Sequence, residues 1–157
     1  MKSFCRIILV CLFLVGWSEI RTLREIEKEF ISKEFTIIKN RNQIRPEILS
    51  PFEFPKGIPI ANPEEAFNST DVIDPKMTSR RLIFAGEAND MVFVYSESGG
   101  YASQTDLMIV KLNRGNIVSR CYYSFGLPEE LVINNLEALK KVFTTSSIKI
   151  FKSCDKK

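Results

Sequence analysis

Between residues 81 and 125 the apolar positions alternate with polar ones in four short runs, and turn-forming clusters separate the runs. Leu82 to Gly86 alternates first, and Glu87-Ala88-Asn89-Asp90 breaks it. A second run covers 91–98 and ends at Gly99-Gly100, a pair suited to a two-residue hairpin because primed turns need positive φ. A third run lies within 101–112, Asn113-Arg114-Gly115-Asn116 turns the chain, and a fourth covers 117–125. Ile148-Lys149-Ile150-Phe151 alternates again near the end. The expected fold class is α+β, with a four- to five-stranded antiparallel meander over about 81–125 plus 147–151.

Two stretches show the helical period instead. Ile20, Leu23, Ile26 and Phe30 recur at spacings of three and four, which predicts an amphipathic helix over about 20–33, and Phe35, Thr36, Ile37 and Ile38 suit a short extended piece over 34–39 after it. Leu131, Val132, Leu136, Leu139, Val142 and Phe143 form a second stripe, with Pro128-Glu129-Glu130 at its entry and Lys140 and Lys141 in its last turn. This predicts a helix over about 128–143 lying on one face of the sheet.

Between them, Pro46, Pro51, Pro55, Pro59 and Pro63 come every four or five residues. Proline fixes φ and removes a donor, so the stretch reads as neither helix nor central strand. Ile48, Leu49, Phe52, Phe54, Ile58 and Ile60 interleave with the prolines, more apolar surface than a solvated linker carries. The stretch 46–79 therefore reads as an arm docked on the domain, followed by a loop. Asn62-Pro63-Glu64-Glu65 has the form of a helix start.

Turn positions set an expected register. With Gly99-Gly100 as the turn, Ser98 faces Tyr101 and Val94 faces Thr105. With Arg114-Gly115 as the tip, Leu112 faces Ile117 and Met108 faces Cys121. One face then carries Leu82, Phe84, Met91, Phe93, Tyr95, Met108, Val110, Leu112, Ile117, Cys121 and Tyr123, almost wholly apolar and the expected core. The other is mixed, as on a sheet with one partly wetted side, some of which the docked arm can cover.

Composition adds a compartment. Residues 1–18 combine Lys2 and Arg6, an uncharged run over 7–17 and the small-x-small triplet Gly16-Trp17-Ser18, the layout of a secretory signal peptide. Its expected removal takes Cys5 and Cys11 away and leaves Cys121 and Cys154, which pair in an oxidising compartment. A Cys121–Cys154 bridge closes a loop of about 34 residues, worth roughly 3–4 kcal/mol on the chain-entropy account. The expected localisation is exported, periplasmic or secreted. A membrane enters only through the signal segment, if it is uncleaved.

Charge and residue types then exclude chemistry. The formal charge is +3 over 157 residues, and it falls to +1 without Lys2 and Arg6. No basic block points to nucleic acid. There is no histidine, which removes Ser-His-Asp and Cys-His catalysis and histidine-ligated metals. No phosphate loop or nucleotide fingerprint implies a cofactor. Asn68-Ser69-Thr70 is a glycosylation sequon, read here as a polar loop.

Two function classes remain. The first is a non-catalytic binding module for a protein partner, with Glu97, Ser98, Gly99, Gly100 and Tyr101 as the contact surface. A secreted inhibitor or immunity-type protein falls in the same class. The second is a hydrolase working through carboxylates, with Glu87, Asp90, Glu97 and Asp106 as candidates. Among these, the expected register buries Asp106 beside Phe93 without a partner, which would raise its pKa.

Overall fold

A computed structural model describes residues 23–53, 57–100, 104–126, 133–144 and 149–156. The segment 1–18, read as a signal peptide, and Tyr101 lie outside the described residues. The chain divides into two units, Met1–Lys33 and Glu34–Lys157.

The described part of the first unit is helix α1 (23–32). Leu23, Ile26 and Phe30 are buried, as their spacing of three and four requires of one stripe. On the polar side Lys33 Nζ pairs with Glu29 Oε1 at 3.1 Å, one turn apart.

The second unit is built on one six-stranded sheet. Its strands are β1 (Thr36–Ile38), β2 (Arg80–Ala88), β3 (Met91–Ser98), β4 (Gln104–Asn113), β5 (Asn116–Gly126) and β6 (Lys149–Lys156). They neighbour one another in sequence order, and every adjacent pair is antiparallel. The antiparallel α+β class is the predicted one, but the sheet has six strands rather than four to five. The sixth strand is Thr36–Ile38, within the stretch expected to be extended but not counted in the sheet; all three of its residues are β-branched and suit a pleated surface. The last strand also runs further than 147–151 and takes Cys154 into its ladder.

Register departs from the expected one in three places. Ser98 pairs with Gln104 and Val94 with Met108, because the connection between β3 and β4 spans 99–103 instead of two residues. The odd offset of three exchanges the faces of β4 relative to β3. A second irregularity, between Lys111 and Leu112, lets the Leu112–Ile117 pair stand while Cys121 moves opposite Ile109. A third, between Leu82 and Phe84, turns Leu82 away from Phe84's side.

The corrected faces are both apolar. One carries Phe84, Phe93, Tyr95, Leu107, Ile109, Cys121, Tyr123 and Phe125, all buried. Helix α3 (Leu136–Val142) brings Phe143 edge-on to Tyr123, ring centroids 5.1 Å apart, and to Phe125 at 6.4 Å. Such edge-to-face pairs suit the aromatic quadrupole. The predicted helix start at 128 lies outside the described residues; the described helix is capped by Asn135, which accepts from Ala138 N–H at 2.9 Å.

The other face carries Leu82, Ala85, Val92, Val94, Met108 and Val110, clustered with Ile44, Ile48, Leu49, Phe52 and Ile60. This face is therefore covered, not wetted. The proline stretch also contains helix after all. Pro46 opens α2 (Pro46–Leu49) and Pro51 lies in the 3₁₀ turn Ser50–Phe52, both at first-turn positions where the missing N–H costs nothing. Further on, Asn62 and Glu65 make the reciprocal bonds of a helix start. Glu65 Oε2 accepts from Asn62 N–H at 2.9 Å and Glu65 N–H donates to Asn62 O at 3.0 Å. The chain nevertheless makes only a turn there. Arg41 reaches Glu65 Oε2 at 2.8 Å and Ile60 O at 2.6 Å, tying two loops together. The Asn62 amides and the Arg41 charge hold the Glu65 carboxyl below its ordinary pKa.

The outer edge of β2 is occupied at both ends. Strand β1 pairs with Ala85–Glu87 positions, and Ala61 makes a parallel bridge to Arg81 through Ala61 N–H to Arg80 O (3.0 Å) and Leu82 N–H to Ala61 O (2.9 Å).

Candidate functional site

The β3–β4 end of the sheet holds the predicted contact residues. Glu97 stands opposite Arg81, and Arg81 Nη2 and Nε approach one oxygen, Oε1, at 2.6 and 2.7 Å. The same guanidinium lies over the Phe67 ring, 4.5 Å from its centroid. Ser98 Oγ donates to Gln104 O at 3.4 Å across the mouth of the connection. Gly99 N–H donates to Ser79 O at 3.0 Å. A Cβ on Gly99 would collide with the backbone of Asn68 and Ser69, so this glycine allows a second loop to lie against the hairpin. Gly100 has φ +109° and open space around it, which makes it the glycine of the turn.

That second loop, 68–78, is closed by one side chain. Asn68 N–H donates to Thr78 O at 2.9 Å, bringing the loop's ends together. Asn68 Nδ2 donates to Asp74 O and Met77 O, each at 2.9 Å, and Oδ1 accepts from Asp74 N–H at 3.0 Å. Asn68 is only 5% exposed. At the loop's far side Val72 is 83% exposed and Ile73 54%. A compact loop with joined ends is an Ω-type element. The sequon thus marks a polar loop whose asparagine is buried and whose apolar residues face water. No sequence rule distinguishes that from a mobile loop, because the anchor is a set of backbone groups six to ten residues downstream.

Asp106 lies on the face opposite to Phe93, and it has partners. It sits between Ser96 on β3 and Ser124 on β5 in the cross-strand register. Ser124 Oγ donates to Asp106 Oδ1 at 2.5 Å, and Arg80 Nη1 pairs with Oδ2 at 3.1 Å. Arg80 in turn lies over the Phe52 ring at 5.5 Å. The unpartnered acid beside Phe93 is thus corrected to a charge-paired acid on the other face. A pocket of about 150 Å³ opens here, bounded by Phe52, Arg80, Gln104, Asp106, Tyr122 and Ser124.

The candidate acids do not converge on one centre. Glu97 and Asp106 lie on opposite faces, opposite Thr105 and Ser96 respectively. Glu87 stands opposite Val92, in the same cross-strand row as Val110. Val110 is four residues from Asp106 along β4, roughly 13 Å at strand rise. Asp90 O accepts from Leu112 N–H at 2.8 Å in the far turn. Among the described residues no group of three His, Cys, Asp or Glu side chains is arranged to hold a metal ion.

Cys121 and Cys154 stand directly opposite each other on β5 and β6, their sulfurs at disulfide distance and their Cα atoms 4.1 Å apart. That spacing belongs to the non-hydrogen-bonded pair of an antiparallel ladder, where side chains come closest. The chain matches no protein-family model, no curated protein and no solved structure.

Proposed function

We propose that this chain is an exported, non-catalytic interaction module that docks a protein partner at the β3–β4 end of its sheet. One observation carries the reading: loop 68–78 is fixed by Asn68 and presents Val72 and Ile73 to water beside the hairpin. Exposed β-branched residues on a pre-ordered loop lose little entropy when they are buried by a partner. The sequence-derived surface Glu97–Tyr101 is extended by this loop, since Gly99 packs on Asn68 and Ser69. Asp71 and Asp74 flank the apolar pair, so the complementary surface is an apolar recess with basic groups at its rim.

Two further observations favour binding over hydrolysis and export over retention. Glu97 and Asp106 are each paired with an arginine and lie on opposite faces, unlike a working carboxylate pair. The cysteines at disulfide distance suit an oxidising compartment. None of the described helices is long and apolar enough to cross a membrane.

The test is a photoreactive residue at position 72, with the Val72→Asp/Ile73→Asp double variant as its counterpart. A partner that crosslinks at 72, and that the folded double variant no longer captures, is the expected result. A partner retained by the double variant with undiminished affinity places the contact elsewhere.

A further inference from the structure

We propose that the pocket beside Arg80 and Asp106 binds a small free α-amino acid in its zwitterionic form. A row of polar residues crosses three central strands on a mostly apolar face: Ser96, Asp106 and Ser124 are consecutive cross-strand partners. Neighbouring rows on that face are Val94–Met108–Tyr122 and Val92–Val110–Arg120. Polar groups set into a sheet's buried face need partners. Ser96 is fully buried, and its Oγ has no hydrogen-bond partner. Asp106 satisfies one oxygen with Ser124 and the other with Arg80, yet a carboxylate accepts about four hydrogen bonds. Arg80 has five donors, and its hydrogen bond to Asp106 uses one. Arg80 and Asp106, both in the pocket wall, therefore keep donor and acceptor capacity where the pocket opens, whereas Ser96 is not part of that wall.

The opposite charges select the ligand. Arg80 Nη1 and Asp106 Oδ2 are 3.1 Å apart, and the two side chains keep 27% and 12% of their surface exposed. An anion binding Arg80 alone would bring a second negative charge beside Asp106. A cation binding Asp106 alone would bring a second positive charge beside Arg80. A ligand carrying ammonium and carboxylate on adjacent atoms meets neither penalty, because each of its charges faces the opposite one. Phe52 and Met108 supply apolar wall for a short side chain, and Gln104 adds an amide at the border. The volume of about 150 Å³ holds roughly five waters. That is the scale of glycine to valine, well under the roughly 300–1,000 Å³ of drug-sized sites.

Titration of the intact protein with glycine, L-alanine and L-valine, followed by amide and side-chain chemical shifts, tests this. Saturable shifts at Gln104, Asp106 and Ser124 are expected. N-acetylvaline and valinamide, each lacking one charge, should bind at least about tenfold more weakly. Arg80→Gln should lose binding of valine, while Glu137→Gln, exposed on α3 and outside the pocket wall, should retain it. If Arg80→Gln does not fold, the blocked ligands on the unaltered protein decide alone. Equal shifts with the blocked forms, no shifts at tens of millimolar, or shifts elsewhere on the surface would overturn the assignment.

Discussion

The backbone of Asn68 fills the space that a Cβ on Gly99 would need, so the loop and the hairpin are packed main chain to main chain. Gly99→Ala must push them apart or bend the hairpin. The expected loss is about 1–3 kcal/mol, the cost of overpacking a filled site. Gly100→Ala meets no neighbour but must hold φ at +109°, which costs about 1–2 kcal/mol by strain alone. Urea unfolding measures both losses. Amide exchange separates them: only Gly99→Ala should speed exchange at Asn68 and Asp74, whose N–H groups close the loop.

Asn68 itself is the loop's anchor. Asn68→Ala removes three side-chain hydrogen bonds to main chain and should cost about 1–3 kcal/mol. Asn68→Asp keeps the acceptor for Asp74 N–H but turns the two donations toward carbonyls into repulsions, so it should be no better than alanine. Thr70→Ala destroys the sequon while leaving every one of these bonds, and Thr70 is exposed. It should leave the unfolding midpoint unchanged. A loss from Thr70→Ala comparable to that from Asn68→Ala, in protein from a glycosylating host, would transfer the effect to a glycan.

The sequence carried the strands and their order, because period-two alternation bounded by Gly, Asn and Asp clusters is a local signal. It misled about faces. Pairing Ser98 with Tyr101 assumed that Gly99 and Gly100 serve one tight turn, whereas Gly99 serves packing against a loop thirty residues earlier. The offset of three then placed Asp106 beside Phe93, and so made a charge-paired acid look like an orphan. The bulges at Ile83 and after Lys111 have no sequence mark. The proline stretch was legible as docked material through its interleaved apolar residues. Its short helix was not, because Pro46 and Pro51 stop a helix in its interior but start one at its first turn. The Arg80–Asp106–Ser124 cluster depends on three strands meeting in register, which no local pattern encodes.

The cysteine pair makes a separate prediction. Strand β6 is the last of the sheet, and Cys154 ties it to Cys121 in the buried middle of β5. The described strand that precedes it in the ladder loses its outer neighbour if β6 detaches. Cys154→Ala should cost about 2–5 kcal/mol, the range for a native bridge in a small domain. Cys121→Ala should cost at least as much, since it also leaves a small cavity at a fully buried position. Thiol mapping of the protein recovered from its host checks the pairing. Two free thiols there would remove both the bridge and the main support for an oxidising compartment.

Alkali should unfold this protein through a buried phenol. Tyr95 is fully buried on the aromatic face, and burial pushes its phenol up from its ordinary value of 10.0; the neighbouring Thr105 hydroxyl opposes this, and the nearby Glu97 and Asp106 charges push the same way as burial. Tyr122 is raised too, by its partial burial and the Asp155 charge, with Arg120 opposing. In both cases the folded state holds its proton more tightly than the unfolded chain. The stabilising contribution is therefore complete below the unfolded value near 10, and it is lost as pH rises from there through the folded value. Denaturant midpoints should be level up to about pH 9 and fall steeply above about pH 10. Tyr95→Phe should flatten that fall, and Tyr122→Phe should flatten it less, since Tyr122 is only partly buried. An alkaline slope that survives the double substitution would assign the transition to the lysines instead.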